Sequence, residues 1–425
     1  MNTLFFDSRR NQWIMTIIAI LSMNVTFQTY GIFIIGTVVV TFYLYILNHG
    51  NVDNLFSNVI FMVLLVSAGQ AIVFESFNWY NFGGVFLIFL MPYFIYGNNG
   101  LTFFRIYVRL MYIFCVISLV FWAIQNLIPG SDILLSKISE VLALDPGSNE
   151  SLIIYNVEHS KSALGLYKNP GFLAEGGVFA TLIIPALYFD NIRKINFFSR
   201  ESLVFVFTLL TTASTAGYSA LIFFLIMVMW EYRKRSISFF LIPLMVFSIY
   251  YAVVELPFMY TKVTKMYNDE MNVYEDNSRA TRKGRFLSAR VDIDLIMEYP
   301  LFGKGIYMES RYLTDEEREI GYSNSYMGVI GLASRYGLIL WAVYFYFFFA
   351  FIRRYFYIQN PSPQGGLKIF KLCFTLSVLM VSMGQNPFPS PIYLVMVYCG
   401  YYLTRPQLNL RKLAISENKY NHAQL

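Results

Sequence analysis

Five cations fall within twelve residues in the run Arg279-Ala-Thr-Arg282-Lys283-Gly-Arg285-Phe-Leu-Ser-Ala-Arg290, with no acid among them. Guanidinium groups bind phosphate oxygens bidentately, so this cluster suits a phosphate or diphosphate. A solvated basic face, or contact with anionic lipid headgroups, would use the same residues. Asp292 and Asp294 follow as a D-x-D pair. In a helix, positions i and i+2 do not face one another, whereas Arg290 and Asp294 pair across one turn. A metal is therefore not expected here. Arg285 and Asp292 share roughly one helix face, which makes Asp292 a candidate base beside a cationic site. Pro300 ends that helix. Leu301-Phe-Gly303-Lys-Gly305 then reads as a tight turn without phosphate-loop spacing.

Further on, Gly321-Tyr322-Ser323-Asn324-Ser325 precedes an apolar run. Ser323 or Asn324 can cap a helix, and Tyr322, Ser323 and Asn324 together form a polar set able to hold a sugar. Arg335 lies inside the apolar run. An arginine at that depth costs roughly 2.5–3.5 kcal/mol on insertion scales and faces a partner or a wet cavity. Tyr167-Lys168-Asn169-Pro170-Gly171 leads to Glu175, about one turn into the next apolar segment. A half-buried carboxylate there suits a general base, and an ion pair with Lys168, Lys161 or a loop arginine accounts for it equally. Tyr167 offers an aromatic face to a sugar.

What positions these groups follows from composition. The chain has 425 residues, 56% hydrophobic, 19% aromatic and 14% charged, with net charge +6 and mean hydropathy +0.50. Soluble domains carry roughly 25% charged residues. A soluble enzyme, a coiled coil, a disordered tail and a disulfide scaffold are excluded. The apolar runs are continuous rather than alternating, which excludes a β-barrel. Cys115, Cys373 and Cys399 all fall in apolar runs and read as buried thiols. His49, His159 and His422 lack metal-ligand spacing.

Twelve runs are long enough to be spans, at about 12–27, 30–47, 55–74, 79–97, 101–127, 172–189, 201–215, 217–232, 236–255, 324–350, 368–385 and 390–404. The first reads as a retained helix rather than a signal peptide. Around Gly217 the chain forms either a hairpin or one broken helix. Arg193, Lys194, Arg200, Arg233, Lys234, Arg235, Arg353, Arg354 and Lys368 cluster in connections of one parity, and Arg405, Arg411, Lys412 and Lys419 in the tail. Both termini are therefore expected in the cytoplasm. The expected fold is an all-α polytopic membrane protein forming one integral domain over 1–425, with large outer loops at 128–171 and 256–322.

Gly284-Arg285, then Glu298-Tyr-Pro300-Leu-Phe-Gly303-Lys-Gly305, then Tyr322-Ser323-Asn324-Ser-Tyr326 and Tyr336-Gly337-Leu together resemble the bacterial O-antigen polymerase and ligase superfamily. The resemblance covers the architecture and is most specific in these motifs. It implies a GT-C-like glycosyltransferase architecture and transfer of a sugar chain between undecaprenyl-diphosphate carriers outside the plasma membrane. Arg285 matches the family arginine that contacts the diphosphate. Ligases of the superfamily carry a histidine where this chain has Ser323, and an arginine where it has Ala216, before Gly217. Both departures favour a polymerase.

The expectation is thus a Wzy-type polysaccharide polymerase of the inner membrane, inverting and metal-independent, without a cofactor. Glu175 or Asp292 would be the base. Arg285, Arg282, Arg290 and Arg335 would hold the diphosphate, and Tyr322, Ser323, Asn324 and Tyr167 the sugar. Its partners would be undecaprenyl-diphosphate-linked oligosaccharides, a chain-length regulator, the pathway's flippase and membrane lipids, with no nucleic acid. An O-antigen ligase, a lipid-linked oligosaccharide flippase or other transporter, and a non-catalytic assembly protein are the alternatives.

Overall fold

The computed structural model describes residues 8–24, 31–49, 54–73, 79–142, 152–162, 165–194, 199–232, 285–304, 328–359 and 366–405. Among them are thirteen helices. They are α1 (Ser8–Leu21), α2 (Gly31–His49), α3 (Asn54–Val73), α4 (Trp79–Asn99), α5 (Thr102–Leu127), α6 (Ser131–Leu142) and α7 (Gly176–Lys194). They continue with α8 (Arg200–Thr211), α9 (Thr215–Tyr232), α10 (Arg285–Glu298), α11 (Gly328–Gln359), α12 (Gly366–Gly384) and α13 (Pro391–Thr404). No strand occurs among the described residues, only an isolated bridge between Lys161 and Tyr167.

Asn54–Val73, Thr102–Leu127, Gly328–Gln359 and Leu367–Gly384 are long and apolar enough to cross a bilayer, and four shorter apolar helices pack with them. Among the described residues the protein is all-helical, and by length and composition these helices are those of a multi-pass membrane protein. The span expected at 236–255 and most of the second loop lie outside the described residues.

The two short runs around Gly217 form a hairpin, not one broken helix. α8 starts where Ser199 and Ser202 donate to Asp190 Oδ2 at 2.7 and 3.0 Å, near the end of α7. It finishes where the Thr211 carbonyl accepts Asn169 N–H at 3.0 Å, just before α7 begins. α9 then runs back along α7. A Cβ on Gly217 would stand 3.1 Å from Ala180 Cβ, and the Phe224 ring lies 5.2 Å from Tyr188. Ala213 takes φ 47° at the reversal.

Prolines inside helices account for three buried tyrosines. Pro185 inside α7 and Pro92 inside α4 have no N–H for the preceding turn, which leaves carbonyls unsatisfied in an apolar core. The hydroxyls of Tyr393 and Tyr107 donate to the carbonyls of Thr181 and Leu182 at 3.0 and 2.6 Å. The Tyr398 hydroxyl does the same for Phe89 at 2.7 Å. Tilted and edge-to-face ring contacts fill the centre, with Phe104 against Tyr355 at 4.8 Å and Phe189 at 5.0 Å. Cys115, Cys373 and Cys399 are buried free thiols.

Candidate functional site

The polar residues of interest gather at the end of the bundle that carries Asn169, Thr211, Gly328 and Gln385. There α11 is broken. Gly337 takes φ 79°, ψ 165°, which divides the helix. The turn after α10 fits into the break. Pro300 carbonyl accepts Leu338 N–H at 2.8 Å, and Ser334 carbonyl accepts Lys304 N–H at 2.8 Å. These two bonds take backbone groups that a break would otherwise orphan. Glycine is required on both sides. Gly303 takes φ 66°, and its Cβ would lie 2.6 Å from the Ser334 carbonyl oxygen, while a Cβ on Gly337 would collide with the Leu301 carbonyl. Asp292 on α10 is fully buried and its Oδ1 accepts from Ser334 Oγ at 2.7 Å. The second loop's helix is thereby fastened to the membrane helix.

α3 closes the junction. Gln70 is fully buried, and its Nε2 donates to the carbonyls of Phe302 and Arg335, both at 2.7 Å. Two carbonyl partners fix the orientation of the amide. Its Oε1 has no partner among the described residues, and neither have Ser67 Oγ, one turn earlier, or Arg335 Nε. Arg335 itself is partly buried. A buried polar group left unsatisfied costs about 1–3 kcal/mol, and more when charged. Three such atoms at one junction are an arrangement suited to a bound polar group.

Glu175 stands near the same end. It is exposed and immediately precedes α7, which begins four residues later than the run expected at 172, so the side chain is not the half-buried acid expected. Its Oε2 accepts from Gln385 Nε2 at 3.2 Å, an amide rather than Lys168 or Lys161, two of the ion-pair partners expected. Gln385 carbonyl accepts Gly328 N–H at 3.2 Å. Arg335 follows Gly328 by seven residues, about 10 Å along the axis. The carboxylate and the guanidinium are therefore tied to the same first two turns of α11.

Tyr167 belongs to a third structure, the loop folded over the end of α5. Trp122 Nε1 donates to its carbonyl at 2.7 Å and Asn126 Oδ1 accepts its N–H at 2.7 Å. Its hydroxyl donates to Asp132 Oδ2 at 3.1 Å, and the Lys161 ammonium sits 4.7 Å above its ring. Donation from the Ile133 backbone N–H and the Tyr167 hydroxyl holds the Asp132 carboxyl below the usual carboxylate range. Nearby, Tyr155 donates to Gln125 Oε1 at 2.8 Å and stacks on Phe121, and burial pushes its phenol up.

The cation cluster is only partly described. Arg285 opens α10, and Arg290 is exposed and pairs with Asp294 at 3.4 Å. Asp292 and Asp294 point into different surroundings, one buried and one half exposed. Arg282, Tyr322, Ser323 and Asn324, together with the side chain of Arg285, lie outside the described residues. Sequence reasoning missed Gln70, Ser67 and Gln385. The signal for the first was present, since an amide deep inside the apolar run 54–73 needs a reason.

A profile of the O-antigen ligase family matches residues 202–345, from the start of α8 through α10 and the break in α11. No curated protein matches the chain.

Proposed function

We propose, from that match, that the chain is a member of the O-antigen polymerase and ligase superfamily and a polysaccharide polymerase of the bacterial inner membrane. It joins undecaprenyl-diphosphate-linked repeat units on the periplasmic side. The growing chain is the donor, and a hydroxyl of a new repeat unit is the acceptor. Glu175 accepts the proton of that hydroxyl as its oxygen attacks the donor's anomeric carbon. The bond from that carbon to the diphosphate breaks with inversion. Arg285, Arg282, Arg290 and Arg335 stabilise the charge on the departing lipid diphosphate, which is the task a divalent metal would otherwise perform. Tyr322, Ser323, Asn324 and Tyr167 hold the sugars. Asp292, the other candidate base, is buried against Ser334, which supports Glu175 as the base.

The observation that supports the reading best is Arg335. It is a cation at the broken point of an apolar helix, with Nε unpartnered among the described residues, on the same helical turns that tie to Glu175. An O-antigen ligase is the second reading, because the matching profile carries that description. Ser323 and Ala216 stand against it. The chain-length regulator and flippase of the pathway would be the polymerase's partners.

The test uses purified protein in detergent with a synthetic undecaprenyl-diphosphate-linked repeat unit and EDTA. A ladder of longer lipid-linked products is expected. Folded protein giving no ladder with the correct unit overturns the reading. Transfer only to a lipid A-core acceptor would make the protein a ligase, and unit translocation in proteoliposomes would make it a flippase.

A further inference from the structure

We propose that the junction of α3 with the broken helix α11 is a binding subsite for the phosphate and adjoining sugar of a glycosyl-phosphate lipid, with Gln70 and Ser67 of α3 reading the sugar. The proposal deepens the polymerase reading and rests on it for the identity of the lipid.

The chemistry follows from the unpaired atoms. Arg335 Nε–H is a donor on a cation and needs an acceptor, ideally an anionic oxygen. Gln70 Oε1 is an acceptor and needs a donor. Its amide cannot turn over to exchange them, because both partners of Nε2 are carbonyl oxygens, those of Phe302 and Arg335. Ser67 Oγ can serve either role. A bare phosphate satisfies the arginine and leaves the amide oxygen unsatisfied. A hydrocarbon tail satisfies none of the three. A sugar carrying a phosphate offers an anionic oxygen beside hydroxyl donors, and so matches the whole set.

The placement agrees. Gln70 and Ser67 are fully buried on the face of α3 turned to α11, and α3 exposes Phe61, Leu64 and Ile72 on its other sides. Apolar surface for a lipid tail therefore runs along the helix that carries the polar atoms. Neither Gln70 nor Ser67 falls within residues 202–345, so the N-terminal half of the chain would contribute specificity to chemistry centred in the C-terminal half. A phospholipid headgroup shares the phosphate and is the competing source.

Full-length protein in phosphatidylcholine nanodiscs is titrated with undecaprenyl diphosphate, with the same lipid carrying one repeat unit, and with phosphatidylglycerol, and the shift in melting temperature is read. The sugar-bearing lipid should bind best and phosphatidylglycerol least. Arg335→Lys should weaken both diphosphate lipids about tenfold. Ser67→Ala should weaken the sugar-bearing lipid selectively. Both variants keep the Gln70 clamp and are expected to melt like the parent without ligand, whereas Gln70→Met removes that clamp and is read only if it folds. Equal response to phosphatidylglycerol, or unchanged binding in both Arg335→Lys and Ser67→Ala, overturns the subsite. Protein that shows the expected ranking yet makes no ladder loses the polymerase reading and keeps the subsite. Protein that makes a ladder with unchanged binding in both variants does the reverse.

Discussion

Pro300 carbonyl and Leu338 N–H meet at 2.8 Å across the gap left by Gly337, so a turn from the second loop mends a helix it does not belong to. The turn and the break are parts of one unit, and each is unsatisfied without the other.

Gly337→Ala should therefore destabilise the protein by about 1–3 kcal/mol, because it combines a left-handed φ with a collision at the Leu301 carbonyl. Gly303→Ala should act in the same direction. Gly36→Ala in α2, where a Cβ meets nothing within 4 Å, should be neutral or slightly stabilising. Thermal melting in detergent checks all three, and equal melting temperatures would show that the break is not constrained as described.

Arg285→Ala should abolish polymer while the protein stays in the membrane. Polymer length on a gel and membrane abundance by blotting are the two readouts. Normal amount and length of polymer in this variant would sink the polymerase assignment.

Glu175→Gln should lower the rate of ladder formation by roughly 10²–10⁴-fold if the carboxylate takes the acceptor proton. Gln385→Ala removes only the amide that orients it and should cost less, about tenfold. Full activity in Glu175→Gln would exclude the residue as the base.

The Asp132 carboxyl is held below its ordinary range by the Ile133 N–H and the Tyr167 hydroxyl. Its folded value lies below the unfolded one, near 3.9. The stabilisation is then fully present above the unfolded value and is lost as pH falls through the folded one. Tyr167→Phe should accelerate amide exchange in residues 165–168 at neutral pH, and the difference from the parent should shrink towards pH 3. A difference that grows on acidification would contradict the sign.

Much of this was legible in the sequence. Continuous apolar runs announced the helices, Pro300 marked the end of α10, and the spacing of Arg290 and Asp294 foretold their pair. The motif glycines of the turn and of Tyr336-Gly337-Leu were visible, but not that they face each other across a junction. That contact is non-local, and only the fold brings residues 300 and 338 together. Glu175 was read as half-buried because the apolar run begins before the helix does. Phe172 and Leu173 are buried in the turn after Pro170, so hydropathy extends past the helical boundary. Gln70 escaped notice because its partners are backbone carbonyls, which leave no mark on side-chain patterns. The hairpin stayed ambiguous because Ala213 adopts a left-handed conformation usually left to glycine.

The burial of Cys115, Cys373 and Cys399 makes the wild-type chain its own background for thiol labelling. A membrane-impermeant maleimide should leave all three unmodified in intact cells. Ser160 and Lys368 are exposed near opposite ends of the bundle, so a single cysteine at either site would report which compartment that end faces, with no need to strip the native thiols first.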